Sequence, residues 1–342
     1  MSAKRQILDW AEEHLLSRAD GGELVDVASV HIPAPSQNDI IPAELADLDD
    51  FHPGVKVSAG PWVNCAESLA GGFALGPVSR LRIRSCAPFI NGNSPSHDSF
   101  CSWGGRAAVT FLNSIIGARS NPASFTDALA SAVSGKVPSG GLMDDDGRRA
   151  EIRVDLSSLA DMDPSTLGLL LAERLDGRRA RLTGLDYGMG DMLSFSLALN
   201  HDRRQPMFLM GDGDEERLEL NPVLGHEWGP ALPSDAIVVL GCPHLSEQRI
   251  NKIARSLAGH SPSGLPLLLY SSTLCWDRSP RPEALLQRHG TIRRDYCPLA
   301  DIDAFRGGTV ISDSMALVEM METRGVKALY RPSQLILEAL TK

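Results

Sequence analysis

The chain has 342 residues, 43% of them hydrophobic and 22% charged, a balance that belongs to folded globular proteins and excludes the disordered and fibrous classes. Its net charge of −10 argues against a nucleic-acid partner, which needs a lysine- and arginine-rich face to displace phosphate counterions. The pairs Arg148-Arg149, Arg178-Arg179 and Arg293-Arg294 are short and read as solvated surface.

The chain opens with an amphipathic helix over residues 5–19, ended by the turn Asp20-Gly21-Gly22. It lacks the unbroken apolar core of a signal peptide. A strand from Leu24 to Val30 leads to His31, and a proline-rich connection from Pro33 to Pro53 holds the acidic run Asp47 to Asp50, read as an exposed loop or short helix. Arg80 to Arg84 alternates with period two, as a half-buried strand does, and delivers Cys86. Helices are expected over Ala107–Gly117 and Ser124–Gly135, a strand over Ile152–Leu156 and a helix over Ser165–Leu175. Residues 180–232 are rich in Gly, Asp and Pro and yield no clear element.

From Asp235 the rhythm sharpens: strand Ala236–Leu240, helix Glu247–Leu257, strand Leu265–Tyr270, helix Pro282–His289, strand Thr291–Arg294. This is the β-α-β-α-β order of a parallel sheet with covering helices. The apolar runs within it fall far short of the roughly 20 residues of a membrane span. The expectation is an α/β protein with a mostly parallel sheet in its last lobe, divided into lobes 1–150, 151–232 and 233–342, cytoplasmic and without a membrane partner.

Six cysteines, at positions 65, 86, 101, 242, 275 and 297, contain no C-x-x-C pair. That excludes a zinc ribbon, a thioredoxin motif and a bacterial ferredoxin cluster. Cys86-Ala87-Pro88, Cys242-Pro243-His244 and Cys297-Pro298 each follow a predicted strand, where the loops of an open α/β sheet form its ligand crevice. The proline fixes the backbone and removes a competing N–H. Two readings stand: buried core thiols, or soft thiolate ligands for iron–sulfur or zinc. Three thiolates on a cluster would leave one iron open as a Lewis acid for a substrate hydroxyl. Cys65, Cys101 and Cys275 lack this context and read as core. Asp144 to Asp146 and Asp212 to Glu216 lack the spacing of a calcium loop. No G-x-S-x-G elbow, phosphate loop or G-x-G-x-x-G is present.

Several blocks together resemble the large subunit of the aconitase X family. Cys86-Ala87-Pro88-Phe89, Trp103, Asn113-Ser114-Ile115-Ile116-Gly117-Ala118-Arg119-Ser120-Asn121 and Ser134-Gly135-Lys136-Val137-Pro138 are similar, in order, to that family's CAPY loop, tryptophan, NSVLGARTN stretch and TGRxP turn. Leu240-Gly241-Cys242-Pro243-His244-Leu245-Ser246 is similar to its LGCPHLS, Asp295-Tyr296-Cys297-Pro298 to its DTCP, and Ala28 to Ile32 to its SSAHI.

The resemblance implies an aconitase-like, multi-lobed α/β/α architecture and an iron–sulfur-dependent dehydratase or related isomerase for a small hydroxy acid. Known members act on hydroxyproline- or phosphomevalonate-like substrates. It also implies Cys86, Cys242 and Cys297 as cluster ligands, of nuclearity [2Fe-2S], [3Fe-4S] or [4Fe-4S], and a separate small swivelling subunit that contributes a catalytic serine. His244 and Ser314 are candidate catalytic residues, with a helix-capping role the alternative for His244. Arg106, Asn113, Ser114, Arg119 and His31 are candidates for substrate binding, Arg119 by holding an acid group and Asn113 by ordering the loop, with a helix-terminus role the alternative for both.

The chain also departs from the family pattern. The family's x-E-S-x-A after the tryptophan reads Gly104-Gly105-Arg106-Ala107-Ala108 here, its TNSxK corresponds to Ile311 to Ala316 without the lysine, and its FGEH reads His97-Asp98-Ser99-Phe100. Losing a polar group from a buried site removes about 1–3 kcal/mol from its partner, so an altered substrate is expected. Arg106 is then either a carboxylate or phosphate clamp or a surface charge. A repurposed, non-catalytic protein that keeps the fold is the alternative reading, and a zinc-binding or plain scaffold subunit a third.

Overall fold

The computed structural model describes residues 3–19, 22–35, 50–61, 78, 81, 83–220 and 232–342. Residues 47–49 of the acidic run, Cys65, and Arg80 and Arg82 of the expected strand lie outside them. The chain forms two compact units, the first of Met1–Ala150 with Pro206–Leu209 and the second of Glu151–Gln205 with Met210–Lys342.

In the first unit, α1 (Ala3–Leu16), β1 (Leu24–Asp26), β2 (Ser29–Ile32), β3 (Lys56–Ala59), β4 (Cys101–Trp103), α2 (Arg106–Phe111), α3 (Phe125–Ser134) and β5 (Lys136–Pro138) follow one another. α1 carries Ile7, Ala11 and Leu15 at four-residue spacing, all buried; side chains at that spacing share one helix face, and this face packs on α3. α3 begins with a reciprocal capping box between Ser124 and Asp127, which satisfies two of the N–H groups that a helix start leaves open. The expected strand over 24–30 is two strands. β1 pairs antiparallel with β5, while β2 lies between β3 and β4, both parallel to it. The break falls where Val27 N turns to Gly135 O and Ala28 N to Phe100 O. The expected helix over 107–117 is α2 continued by a π turn, Leu112–Ile116, which ends at Gly117 with φ +76°.

The second unit contains β6 (Ile152–Asp155), α4 (Pro164–Leu175), β7 (Ala180–Thr183) and α5 (Met189–Leu199). The chain leaves this unit before Pro206 and returns through β8 (Leu209–Met210) to β9 (Glu216–Arg217). β6 pairs in parallel with β7 and β9. Then come β10 (Ala236–Leu240), α6 (Glu247–Leu257), β11 (Leu267–Ser271), α7 (Thr273–Asp277), α8 (Pro280–Leu286), β12 (Thr291–Arg294), β13 (Thr309–Ser312), α9 (Met315–Glu322), β14 (Ala328–Tyr330) and α10 (Ser333–Leu340). The last five strands make one all-parallel sheet in the order β12-β11-β10-β13-β14. β10 is its centre: the chain first winds outward through β11 and β12, then returns to β13 on the other flank. The carboxyl ends of β10 and β13 therefore meet at the point where the winding reverses, the place where open α/β sheets hold ligands.

Residues 151–205 and 210–220, expected in a lobe apart from 233–342, group with it in this second unit. α5 packs on α6, and Arg249 of α6 reaches Ser194 of α5. α5 escapes sequence reading because Met192 to Leu199 are buried without exception, so it has no polar face to set a period.

Candidate active site

The site residues fall into two groups. In the second unit, β10 ends at Leu240 and its chain turns through Gly241, whose φ is +114° and whose added Cβ would lie 2.1 Å from Tyr270 O. Only glycine fits there, and it delivers Cys242 and Pro243, joined by a cis peptide bond, at the carboxyl edge of the sheet. Leu245 N donates to Tyr270 O at 3.0 Å and Ser271 Oγ to Leu245 O at 2.5 Å, tying this loop to the end of β11. Ser246 then caps α6 through Arg249 N.

His244 is buried and its Nε2 donates to Tyr296 O at 2.9 Å, one residue before Cys297. Burial lowers its pKa, against the opposing pull of that hydrogen bond and of Asp295. Asp295, in the left-handed region at φ +57°, donates its N–H to Ser271 O and accepts from Thr273 N and Oγ1 at 2.8 and 2.7 Å. The Cys242 and Cys297 loops are thus joined through His244 and through the end of β11. Both cysteines are half-buried, whereas Cys275 is 4% exposed and Cys101 0%.

Across the sheet centre, β13 is followed by Asp313 and Ser314. Ser314 is buried and its Oγ accepts from Leu317 N at 3.2 Å, capping α9. A cavity with about 10 Å³ of free volume lies between Cys242, Pro243, Asp313, Ser314, Met315 and Ser194, room for about one water molecule. Beneath it Arg249 pairs with Asp313 and donates to Ser194 Oγ and Ser333 Oγ at 2.5 and 3.1 Å. Burial alone would depress the Arg249 pKa, but Asp313 and Asp163 more than offset it and the net shift is upward. Burial raises the Asp163 pKa, with Asp313 adding to it. Asp163 also caps α4 through Ser165 N and Thr166 N. Sequence reading missed Arg249 and Asp313. The visible signal was a cation heading the four-residue stripe Arg249, Ile253, Leu257 on an otherwise apolar face of α6.

In the first unit, Ala59 at the end of β3 forms a parallel bridge with Arg84, Ser85 N donates to Ala59 O, and Cys86 follows, half-buried. It too sits past the carboxyl end of a parallel sheet. Phe89 fixes the next turn by stacking on Phe111 with ring centroids 4.1 Å apart.

His31 is 2% exposed beside Trp103 and has Nδ1 3.1 Å from Ser58 Oγ; burial pushes its pKa down to about 3, so it is neutral at physiological pH. It belongs to a buried polar cluster organised by Asn93, which accepts from Ser29 Oγ and donates to Ser58 Oγ and Val30 O, while Trp103 Nε1 donates to Ser29 Oγ. Asn93 gave no sequence signal. Asn113 is wholly engaged: its amide donates to Ser120 O and Pro206 O, and its Oδ1 accepts from Ser120 N and Arg148. Ser114 Oγ accepts from Phe208 N. Arg119 binds Asp98, Asp145 and Met143 O. Arg106 opens α2, half-buried.

A cavity of about 660 Å³ in the first unit, beside Arg18, Asn121 and Asp127, contains none of the nominated residues. Among the described residues no group of three or more His, Cys, Asp or Glu side chains is gathered in metal-binding array, and no helix is long and apolar enough to cross a membrane.

Residues 78–146 match the family model for the aconitase X first domain. The chain is 27% identical over 343 aligned residues to the phosphomevalonate dehydratase large subunit of Methanothermobacter thermautotrophicus, covering 90% of this chain and 82% of that protein. Over a shorter stretch it is 31% identical to the cis-3-hydroxy-L-proline dehydratase of Pseudomonas aeruginosa, covering 36% of this chain and 22% of that protein. Its fold matches the crystal structure of Thermococcus kodakaraensis aconitase X in the holo-form with a TM-score of 0.76, at 20% identity, over 97% of this chain and 95% of that one. With the cysteine loops in family order on this fold, these likenesses together support an aconitase X family member.

Proposed function

We propose that this chain is the large subunit of a two-part hydro-lyase that removes the hydroxyl of a small hydroxy acid, with Cys86, Cys242 and Cys297 as ligands of an iron–sulfur cluster. The observation that carries the reading is the separation of the cysteines by environment. The three that follow strand ends are half-buried, whereas Cys101 and Cys275 are packed in the core. Two of the three occupy loops fastened together by His244. Thiolates are the donor type that iron–sulfur clusters take, so the donor set fits the group.

When bound, such a cluster supplies a Lewis-acidic iron for the departing hydroxyl. The chain's own residues then have defined tasks. His244, neutral and donating through Nε2, holds the Cys242 and Cys297 loops in register. Ser314 presents its hydroxyl beside Cys242 at the centre of the sheet. Arg106 stands at the start of α2 as the cation for a substrate carboxylate or phosphate.

The turn after Trp103 supports an altered specificity relative to the named relatives. Gly105, at φ +93°, occupies the place of the family's glutamate in a conformation that strains any other residue. The names of the relatives as large subunits support a small-subunit partner.

The test is anaerobic purification with a small aconitase X subunit, iron and sulfide analysis, and assay of 5-phosphomevalonate, cis-3-hydroxyproline and their analogues. Iron and sulfide in stoichiometric amount, with water loss from at least one hydroxy acid, is the expected result. A metal-free or zinc-bound chain would overturn the metal assignment, and a loaded but inert complex would overturn the hydro-lyase.

A further inference from the structure

Neither member of the Arg249–Asp313 pair is among the residues nominated by sequence, although Asp313 directly precedes Ser314. We propose that Arg249 is a positioning residue that holds the Ser314 turn against the Cys242–Pro243 loop, and that Asp313 is held there as its charge partner. The inference rests on the reading that this edge of the sheet serves the reaction.

One guanidinium reaches three elements besides its own: Ser194 on α5, Asp313 just after β13 and Ser333 at the start of α10. Asp313 directly precedes Ser314, and both line the small cavity with Cys242 and Pro243. The link continues on the other side through the helix start. Arg249 N donates to Ser246 Oγ, and Ser246 ends the loop that Cys242 begins. Arg249 therefore grips both banks of the point where the sheet reverses its winding.

Low exposure, 13% of its side chain, and its three partners make the grip stiff. A planar guanidinium engaged on three sides has one orientation, and Gly190 of α5 approaches so closely that an added Cβ would meet Ser246 Oγ at 2.2 Å and Arg249 Cγ at 3.4 Å. Arg249 is the cation that the fold places against the Asp313–Ser314 turn. Removing it leaves Asp313 buried and uncompensated, which is costlier than removing both partners.

The experiment compares Arg249→Met, Asp313→Asn, the double variant and Arg249→Lys in the full chain with its small-subunit partner. Two readouts are followed: steady-state kinetics of the loaded complex, and amide exchange of Leu317, whose N–H is held by Ser314 Oγ, in the cluster-free chain. Arg249→Met is expected to lower kcat by at least about tenfold with little change in KM, the signature of lost transition-state positioning. It should also speed Leu317 exchange by about tenfold or more while the β10 core amides stay protected. The double variant is expected to recover part of both losses, because the uncompensated carboxylate is gone, and Arg249→Lys to rescue incompletely.

Unchanged Leu317 exchange in Arg249→Met would overturn the positioning role, and faster exchange with unchanged kcat would overturn its bearing on the reaction. If Arg249→Met does not fold, the double variant and Arg249→Lys carry the same comparison. A wild-type complex without activity would sink the hydro-lyase reading, yet the exchange measurement would still decide what Arg249 holds.

Discussion

Replacing Gly241 by alanine probes the turn that presents Cys242, and a second glycine provides the control. Gly241 has φ +114° and its added Cβ would fall 2.1 Å from the carbonyl oxygen of Tyr270. That atom is main chain and cannot swing aside; it also accepts the Leu245 N–H. Gly259, after α6, has φ +83° with nothing within 4 Å of its added Cβ. Both alanines bear positive-φ strain of about 1–3 kcal/mol. Only Gly241→Ala adds the displacement of β10 from β11, an overpacking cost of about 1–3 kcal/mol. For a unit of this size each kcal/mol lowers the melting temperature by roughly 2–4 °C. Calorimetry should therefore find Gly241→Ala melting at least about 2 °C below Gly259→Ala. Equal melting points would refute the claim that close approach, rather than dihedral freedom alone, requires glycine there.

Other expectations follow from the buried polar groups and the cysteines. The depressed pKa of His31, from 6.5 to about 3, means that the unfolded state takes up this proton first. Its stabilising effect is complete above pH 6.5 and declines as pH falls toward 3, by about 1.4 kcal/mol per pH unit. Urea titrations at pH 7 and pH 5 should show that loss, and His31→Asn should reduce it. Asn93→Ala leaves Ser29, Ser58 and Val30 O short of partners and is expected to cost about 2–4 kcal/mol in chemical denaturation; a cost below about 1 kcal/mol would mean that water takes the amide's place. Cys242→Ser should lose most bound iron while Cys275→Ser, in the core, keeps it. Equal iron in both would remove Cys242 from the ligand set.

How far the fold could be read from sequence depended on what each segment displays. β10, α6 and β12 were placed to the residue because their periods are clean and Ser246 marks the helix start. α5 was invisible because its burial is all-round, and β13 to α10 were passed over although they complete the parallel sheet. The cysteine loops were legible as strand-end Cys-Pro units. By contrast, Arg249 acts through partners 55 to 84 positions away, Asp313 among them at 64, and Asn93 through partners 35 to 64 away, and spacing along a chain does not encode such meetings. Asn113 and Arg119, prominent in the most distinctive block, spend their polar atoms on Ser120, Pro206, Arg148, Asp98 and Asp145. The most recognisable words of the sequence can therefore be structural ones.

The two thiol-bearing loops of the second unit hang from unequal supports. Cys242 follows a strand flanked on both sides, whereas Cys297 follows a strand that, among the described residues, is hydrogen-bonded to a single neighbour. Local opening begins where pairing is one-sided, so thermal or oxidative damage should unfasten the sulfur at 297 before the one at 242. A metal centre built on this frame would fail by swinging open like a gate on its inner post.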